Sequence, residues 1–247
     1  MKKICLIGGS GVLGKYYADQ LSLDNEVHVA DIGLKNEKKS NTHYKYYLDL
    51  KSEKKIKDFF FKNKQKPFDI LINNAAFTTE MAMKTIKKKK NDIFSSEAFD
   101  QTIKVNLKGV FLCCKYFMKY HHKKNLDQRV INIGTIYATH GPHHNIYKNE
   151  NFFSSISYST SKAGLIGMTR WLASKFADEN TNFNLISPGG VFNNHSKKFV
   201  KKYIQLIPKK RMASQKQIFS ALKFLISKNS DYLVGQNIYV DGGFTSW

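Results

Sequence analysis

The chain has 247 residues, of which 42% are hydrophobic and 24% charged. That balance excludes a disordered chain and fits a soluble globular protein. Lys and Arg total 40 against 19 Asp and Glu, a formal net charge of +21, and no run approaches the roughly 18 apolar residues of a membrane span. The opening residues 1–7 resemble the start of a signal peptide, but the apolar run stops at Gly8 with no cleavage site behind it, so the spacing predicts a strand over 3–7. A glycine-rich turn follows, then helical spacing over 13–23. E-V-H-V-A (26–30) predicts a second strand that ends at Asp31. Residues 52–64 form a lysine-studded helix with Ile56, Phe59 and Phe60 on one face, and F-D-I-L-I-N (68–73) a further strand. A long helix is predicted over 97–120, a buried strand over 130–133, a helix over 158–177 and a strand over 183–187. A helix over 214–227 and a last strand over 237–240 complete the chain.

Strands alternate with helices from end to end, and the strands read as continuous apolar runs. Both features predict an α/β fold: a single Rossmann-type, doubly wound parallel sheet with helices on both faces. No linker interrupts the pattern, so one domain over 1–247 is expected. Residues 81–93, 139–157 and 191–211 are the least regular and are expected to be loops or substrate-covering segments.

The charge excess is almost all lysine, since only Arg129, Arg170 and Arg211 are arginine. Base and phosphate readers favour the bidentate arginine fork. The lysines are spread along the chain, with clusters at 87–90, 197–198, 201–202 and 209–210. A solvated lysine-rich surface is therefore expected rather than a nucleic-acid interface, with a field that favours anionic ligands. Three cysteines (Cys5, Cys113, Cys114) neither form a disulfide framework nor show metal-ligand spacing, and read as buried reduced thiols of a cytoplasmic protein.

Gly9-Ser10-Gly11-Val12-Leu13-Gly14 fits G-x-G-x-x-G between a strand and a helix, with Gly8 extending the set. Such glycines let backbone approach a pyrophosphate, and the helix N-terminus offers free N–H groups to it. Asp31 closes the second strand 20 positions after Gly11, where a carboxylate accepts hydrogen bonds from adenosine ribose hydroxyls and repels a 2′-phosphate. NAD is thus expected over NADP, although Lys35 nearby weakens that preference. Further along, Tyr158 and Lys162 stand at i and i+4 of a helix and face one space. An ammonium beside a phenol favours phenolate, and lowers a pKa by about 1–3 units at close range, which suits an acid/base catalyst.

Together these motifs resemble the short-chain dehydrogenase/reductase family. The matching segments are G-G-S-G-V-L-G (8–14), Asp31, Asp49-Leu50, N-N-A-A (73–76), V-N-L-K-G (105–109), I-N-I-G-T (131–135), Y-S-T-S-K (158–162), S-P-G-G-V (187–191) and V-D-G-G (240–243), in family order along nearly the whole chain. The resemblance implies that Tyr158 exchanges the proton with a substrate hydroxyl or carbonyl. Lys162 would lower its pKa and hold the nicotinamide ribose, and Asn106 would anchor a water linking Lys162 to solvent. Asp49 and Leu50 would sit by the adenine. Asn73, Asn74, Ala75 and Ala76 would shape the sheet edge against the cofactor, and Pro188, Gly189, Gly190 and Val191 would pass close to the nicotinamide. The family also implies homodimers or homotetramers built on the helices over 97–120 and 158–177, with Phe111, Phe117, Trp171 and Phe176 compatible with an interface or with a core.

Two positions depart from the family pattern. Thr135 stands where a catalytic serine is usual; its hydroxyl still donates, and β-branching restricts its rotamer. The second glycine of short family members would fall at Val12, whereas Gly11 comes one place earlier, a spacing closer to the long epimerase/dehydratase branch, whose members carry a larger C-terminal domain. From Thr135 to Tyr158 is 23 residues, about twice the usual gap. The added segment, from Thr139 through His140, His143, His144 and Tyr147 to Phe152 and Phe153, is expected to cover the active site and to suit a polyhydroxylated or phosphorylated ligand. Its histidines lack carboxylate partners, so no metal is expected. The insertion, P-G-G-V-F-N-N (188–194) and D-G-G-F-T-S-W (241–247) resemble oxidoreductases of flagellin or surface-sugar modification, in legionaminic-type and nucleotide-sugar pathways. The leading expectation is an NAD(P)-dependent enzyme interconverting a secondary alcohol and a ketone on a sugar or nucleotide sugar. The alternatives are a redox-neutral epimerase or dehydratase, and a cofactor-binding regulator associated with nucleic acid.

Overall fold

The computed structural model describes every residue except 41, 89–91, 125, 149 and 151. Its strands are β1 (Lys3–Ile7), β2 (Glu26–Asp31), β3 (Glu37–Lys38), β4 (His43–Tyr47), β5 (Ile70–Asn73), β6 (Gln128–Ile133), β7 (Thr181–Pro188) and β8 (Asn237–Val240). They form one sheet in the order β3-β4-β2-β1-β5-β6-β7-β8. Every pairing is parallel except β3 with β4. The strand order reverses between β1 and β5, which makes the crevice beyond those two strands the topological switch point.

Alternate side chains of each strand feed two separate cores, as the strand period requires. On β1, Ile4 and Leu6 join Tyr17 and Leu21 of α1 (Val12–Leu21) and Ile218 and Leu222 of α8 (Gln215–Leu225). Cys5 and Ile7 point the other way, into the core built by α2 (Glu53–Lys62), α5 (Val110–Tyr120) and α6 (Ile156–Phe176). Helices therefore cover both faces, and the three cysteines are free and buried. Phe117 and Phe176 belong to this second core, whereas Phe111 and Trp171 are 49% and 65% exposed.

Several sequence expectations need correction. Residues 81–88 are not irregular: α3 (Thr79–Lys88) buries Ala82, Met83 and Ile86 on one face, a helical stripe hidden by the surrounding lysines. Within 191–211 lies α7 (Lys197–Tyr203), capped by Ser196, whose hydroxyl accepts from the Phe199 N–H. The long helix over 97–120 is three pieces: α4 (Ser96–Ile103), a π-helical turn at Lys104–Gly109, and α5. Two strands escape the pattern altogether. β4 (H-Y-K-Y-Y) lies near the sheet edge and is half-buried, so it shows no apolar run; its Tyr44 and Tyr46 instead stack on His28 of β2, at 4.6 and 5.6 Å between ring centroids. β3 has two exposed residues. Lys89 and Lys90 of the lysine cluster, and residues 149 and 151 of the insertion, lie outside the described residues.

Candidate active site

A cleft of about 820 Å³ opens where β1, β2, β5, β6 and β7 end. At its floor the chain leaves β1 through Gly8, whose φ of +94° is the left-handed conformation that glycine adopts without strain. A Cβ there would lie 2.2 Å from the Ala75 nitrogen, and one on Gly14 would lie 2.1 Å from the Gly8 carbonyl oxygen. The loop thus packs backbone against backbone, and α1 can start directly beneath it. Gly9 sits over Val29. Gly8, Ser10, Gly11, Val12 and Leu13 line the cleft, whereas Gly9 and Gly14 stand behind it and hold its shape.

The other predicted residues arrive from neighbouring strand ends. The Asp31 carboxylate accepts from the Ser10 N–H (3.0 Å) and the Gly33 N–H (2.8 Å), tying the end of β2 to the glycine loop. Asn74 donates its side-chain amide to the Gly8 carbonyl at 2.6 Å, and the Ala75 N–H donates to the Ile7 carbonyl at 2.9 Å. Asp49, Leu50, Ala76, Pro188, Gly189 and Val191 complete that wall. Lys35 is exposed and not part of the lining.

Thr135, Tyr158 and Lys162 line the same cleft. The Ser155 hydroxyl caps α6 by accepting from the Tyr158 N–H (3.3 Å), so Tyr158 is fixed in the first turn and Lys162 follows one turn later. Thr135 follows β6, its Oγ1 accepting from the Tyr137 N–H. Asn106 lies one layer back on the π-helical turn, a feature that often marks functional sites. Its side chain accepts from the Phe77 N–H (2.6 Å) and donates to the Phe77 carbonyl (3.2 Å) and to Ser161 Oγ (3.1 Å). Asn106 therefore holds the loop after β5 against α6.

The electrostatics correct one expectation. The Lys162 ammonium does not pull the phenol down: Lys162 Nζ stands 6.0 Å from the Tyr158 ring centroid and donates to the Ile133 carbonyl at 2.6 Å. Burial instead pushes the Tyr158 phenol up to about 12, and the Glu80 carboxylate and Tyr147 act in the same direction. Burial also brings Lys162 down to about 8. Desolvation thus outweighs pairing at both groups.

The insertion reaches the cleft through Tyr147, Phe152 and Ser154. Its histidines do not line the cleft: His140 packs on Tyr239 and His143 on Phe244. Glu80, Tyr137, His195, Phe199 and Tyr203 also line it; the sequence marks 191–211 as a substrate-covering segment without singling out His195, Phe199 or Tyr203, and does not point to Glu80 or Tyr137. Tyr203 and Phe199 sit in a lysine-dense stretch, and only tertiary packing turns them inward. The Tyr203 hydroxyl accepts from the Gly190 N–H at 2.7 Å, and Phe244 of the C-terminal tail packs on Tyr203.

A glycine cradle at a switch point, with a carboxylate beside it and a Tyr–Lys pair opposite, defines a dinucleotide-binding oxidoreductase. Gly11 supports the fit: it is the N-cap of α1 with no side-chain cap, and nothing lies within 4 Å of where its Cβ would be. The helix end therefore presents free N–H groups to open space, as a pyrophosphate requires. Residues 23–245 match the family described as enoyl-(acyl carrier protein) reductase. The chain is 31% identical to the 3-oxoacyl-[acyl-carrier-protein] reductase of Buchnera aphidicola subsp. Baizongia pistaciae, over 98% of this chain and 97% of that one. It is also 31% identical to glucose 1-dehydrogenase 2 of Bacillus subtilis, over 72% and 64%. A short-chain dehydrogenase of Leptospira borgpetersenii, solved with bound NAD+, superposes with a TM-score of 0.81 at 31% identity, covering 99% of this chain and 92% of that one. The chain belongs to the short-chain dehydrogenase/reductase family. It is an oxidoreductase that acts on CH–OH groups of small molecules with NAD(P). No helix among the described residues is long and apolar enough to cross a membrane.

Proposed function

We propose that the chain is a single-domain, cytoplasmic, NAD-dependent oxidoreductase that interconverts a secondary alcohol and a ketone on a sugar or nucleotide-sugar derivative. The observation that carries this is that Tyr158, Lys162 and Thr135 line one cleft together with Gly8 and Asp31. When bound, the nicotinamide accepts or supplies the hydride. Gly8, Gly9, Ser10, Gly11, Val12, Leu13 and Gly14 would hold or shape the pyrophosphate seat. Asp31 would face the adenosine ribose, and its charge disfavours a 2′-phosphate. Asp49, Leu50, Asn74, Ala75 and Ala76 would flank the adenine side, and Pro188, Gly189 and Val191 the nicotinamide side.

Tyr158 would hand its proton to the substrate oxygen in reduction and take it back in oxidation. With its phenol near 12, Tyr158 is protonated at neutral pH, the state that a carbonyl reduction needs. Thr135 would donate a hydrogen bond to the same oxygen. Lys162 would hold the ribose, and Asn106 would position the Phe77 loop and, through solvent, Lys162.

A sugar substrate is supported by the hydroxyl-rich lining at Tyr137, Tyr147 and Ser154. It is also supported by similarity to glucose 1-dehydrogenase 2 and, at 30% identity over 61% of this chain, to post-translational flagellin modification protein A of Campylobacter coli. A second reading, reduction of a 3-oxoacyl thioester on an acidic carrier, is favoured by the exposed Lys197, Lys198 and Lys201 of α7 beside the cleft. Assays on sugars, nucleotide sugars and acetoacetyl-carrier protein, followed at the reduced-nicotinamide absorbance with each cofactor, test both. Turnover of sugars with NAD supports the first; turnover of the thioester alone replaces it with the second. Redox-neutral conversion of a sugar with retained NAD would instead reveal an epimerase or dehydratase. Dimers or tetramers through the exposed Phe111 and Trp171 faces are proposed, and light scattering tests them.

A further inference from the structure

We infer that Ser154, Tyr147 and Glu80 form a subsite that reads hydroxyl groups on an uncharged substrate ring and rejects rings that carry a phosphate or carboxylate, so that of the two substrate classes proposed above it selects the free sugar over the nucleotide sugar. The subsite presupposes the reading of Tyr158 as acid/base and concerns the same cleft.

Ser154 is 6% exposed and lines the cleft, and its hydroxyl, buried behind that lining, has no hydrogen-bond partner among the described residues. A buried hydroxyl left unpaired is costly, so such a group on a residue that lines a cleft points to a ligand that pairs it once it turns toward the cleft. Tyr147 donates its hydroxyl proton to the Tyr137 hydroxyl at 3.1 Å. Tyr137 thereby keeps its own proton to donate, and Tyr147 keeps lone pairs to accept. The paired phenols thus offer one donor and one acceptor close together, the complement of a hydroxyl that both accepts and donates. The rings of Tyr147, Phe152 and Phe199 lie with centroids 5.3–5.8 Å apart and tilted by 41–77° to one another, an apolar wall for the C–H face of a ring.

Glu80 sets the charge. It lies in the first turn of α3, lines the cleft from an exposed position, and its carboxylate lies within electrostatic reach of both Tyr158 and His195. An ionised carboxylate only accepts hydrogen bonds, so it welcomes hydroxyls and opposes anions. His195 adds no fixed positive charge. Its Nδ1 accepts from the Asn193 N–H at 3.1 Å, and burial lowers its pKa, so it is a neutral Nε2–H donor. Among the described residues the lysines of the lining are Lys51 and Lys162. Lys51 lies over the Phe77 ring, and Lys162 donates to the Ile133 carbonyl, so neither is placed as a phosphate clamp at this end.

The experiment uses the full chain with NAD+ and saturation-transfer NMR. The probes are the methyl glycosides of glucose, galactose, mannose and N-acetylglucosamine, against glucose 6-phosphate and gluconate. At least one neutral glycoside is expected to bind at least fivefold more tightly than both charged probes. Ser154→Ala and Tyr147→Phe should each weaken that binding at least fivefold, Glu80→Gln should bring the charged probes within twofold of it, and the NADH fluorescence titration should not move. Charged probes binding as well as neutral ones, no neutral binding, or variants that bind like wild type would overturn the subsite. Hydride transfer measured alongside separates the two readings. Transfer with unaffected variants sinks the subsite alone; the predicted binding pattern without transfer to or from any probe sinks the redox reading alone.

Discussion

Phe152 and Phe153 are adjacent in the chain and pack against two different apolar clusters. Phe152 packs on Phe199 of α7 at 5.3 Å between ring centroids, and Phe153 packs against the small core of Met83 and Ile86 on α3 and Ala98 on α4. Lys202 of α7 adds hydrogen bonds to the Ile146 and Lys148 carbonyls at 3.4 and 2.8 Å. The insertion therefore ties α7 to α3 and α4 before any ligand arrives.

Removing that tie should loosen α7 without touching the dinucleotide seat. Phe152→Ala is expected to raise substrate KM severalfold and speed amide exchange over residues 197–206, with cofactor KM unchanged. Kinetics and hydrogen exchange check both effects. Unchanged exchange in α7 would contradict the tie.

The glycine loop makes a contrast between two alanines. Gly14→Ala places a Cβ against the Gly8 backbone, where nothing flexible can yield, and should lower stability by about 1–3 kcal/mol through strain. Gly11→Ala meets no atom and keeps a φ of −77° that alanine adopts easily, so it should fold like wild type. It fills the space in front of the α1 N-terminus, so dinucleotide affinity should fall at least tenfold. Thermal melts and NADH fluorescence titrations separate the two.

Lys162 costs stability where it stands. Its pKa near 8 in the fold, below the ordinary lysine value of about 10.4, means that the unfolded chain binds more protons between those limits. Stability thus rises with pH across roughly 8 to 10.4 and is lower beneath, by on the order of 3 kcal/mol. Lys162→Met should be inactive, and the stability of wild type relative to this variant should improve by that amount from pH 7 to pH 10.5. Chemical denaturation at both pH values measures it, and a constant difference would contradict the burial of the ammonium.

His121 gives the acid limb. Its Nδ1 accepts from the Phe68 N–H at 3.1 Å, its Nε2 pairs with the Phe60 carbonyl at 2.9 Å, and burial holds its pKa near 4. Because that value lies below the unfolded value of about 6.5, the unfolded chain takes up the extra proton. Its contribution is full above about pH 6.5 and is lost as pH falls toward 4, worth roughly 3 kcal/mol. Denaturant midpoints from pH 7 to 4 should fall, and by less in His121→Asn.

The residues that line the cleft at the glycine loop and the start of α6 were legible because each obeys a local rule. The glycines sit where backbone must approach backbone, Asp31 ends a strand, and Tyr158 and Lys162 share a helix face. Their ionisation was not legible: i and i+4 spacing brings two side chains to one face, but it does not reveal that Lys162 turns to the Ile133 carbonyl or how far burial shifts each group. The substrate side was only half legible. The long gap before Tyr158 marked the insertion, yet Glu80, Tyr137 and Tyr203 come from three distant segments, and their meeting is a matter of tertiary packing. β4 was missed because aromatic stacking on His28 replaces the apolar run that a buried strand displays.

The most direct test of the central claim is Tyr158→Phe, assayed at the reduced-nicotinamide absorbance on the substrate found in the panel, with NADH fluorescence and a thermal melt as controls. Turnover should fall by a factor of about 100 to 10,000, the range of acid/base catalysis, with cofactor affinity and melting temperature held. Turnover within a few-fold of wild type by a folded, cofactor-binding Tyr158→Phe protein would contradict the account.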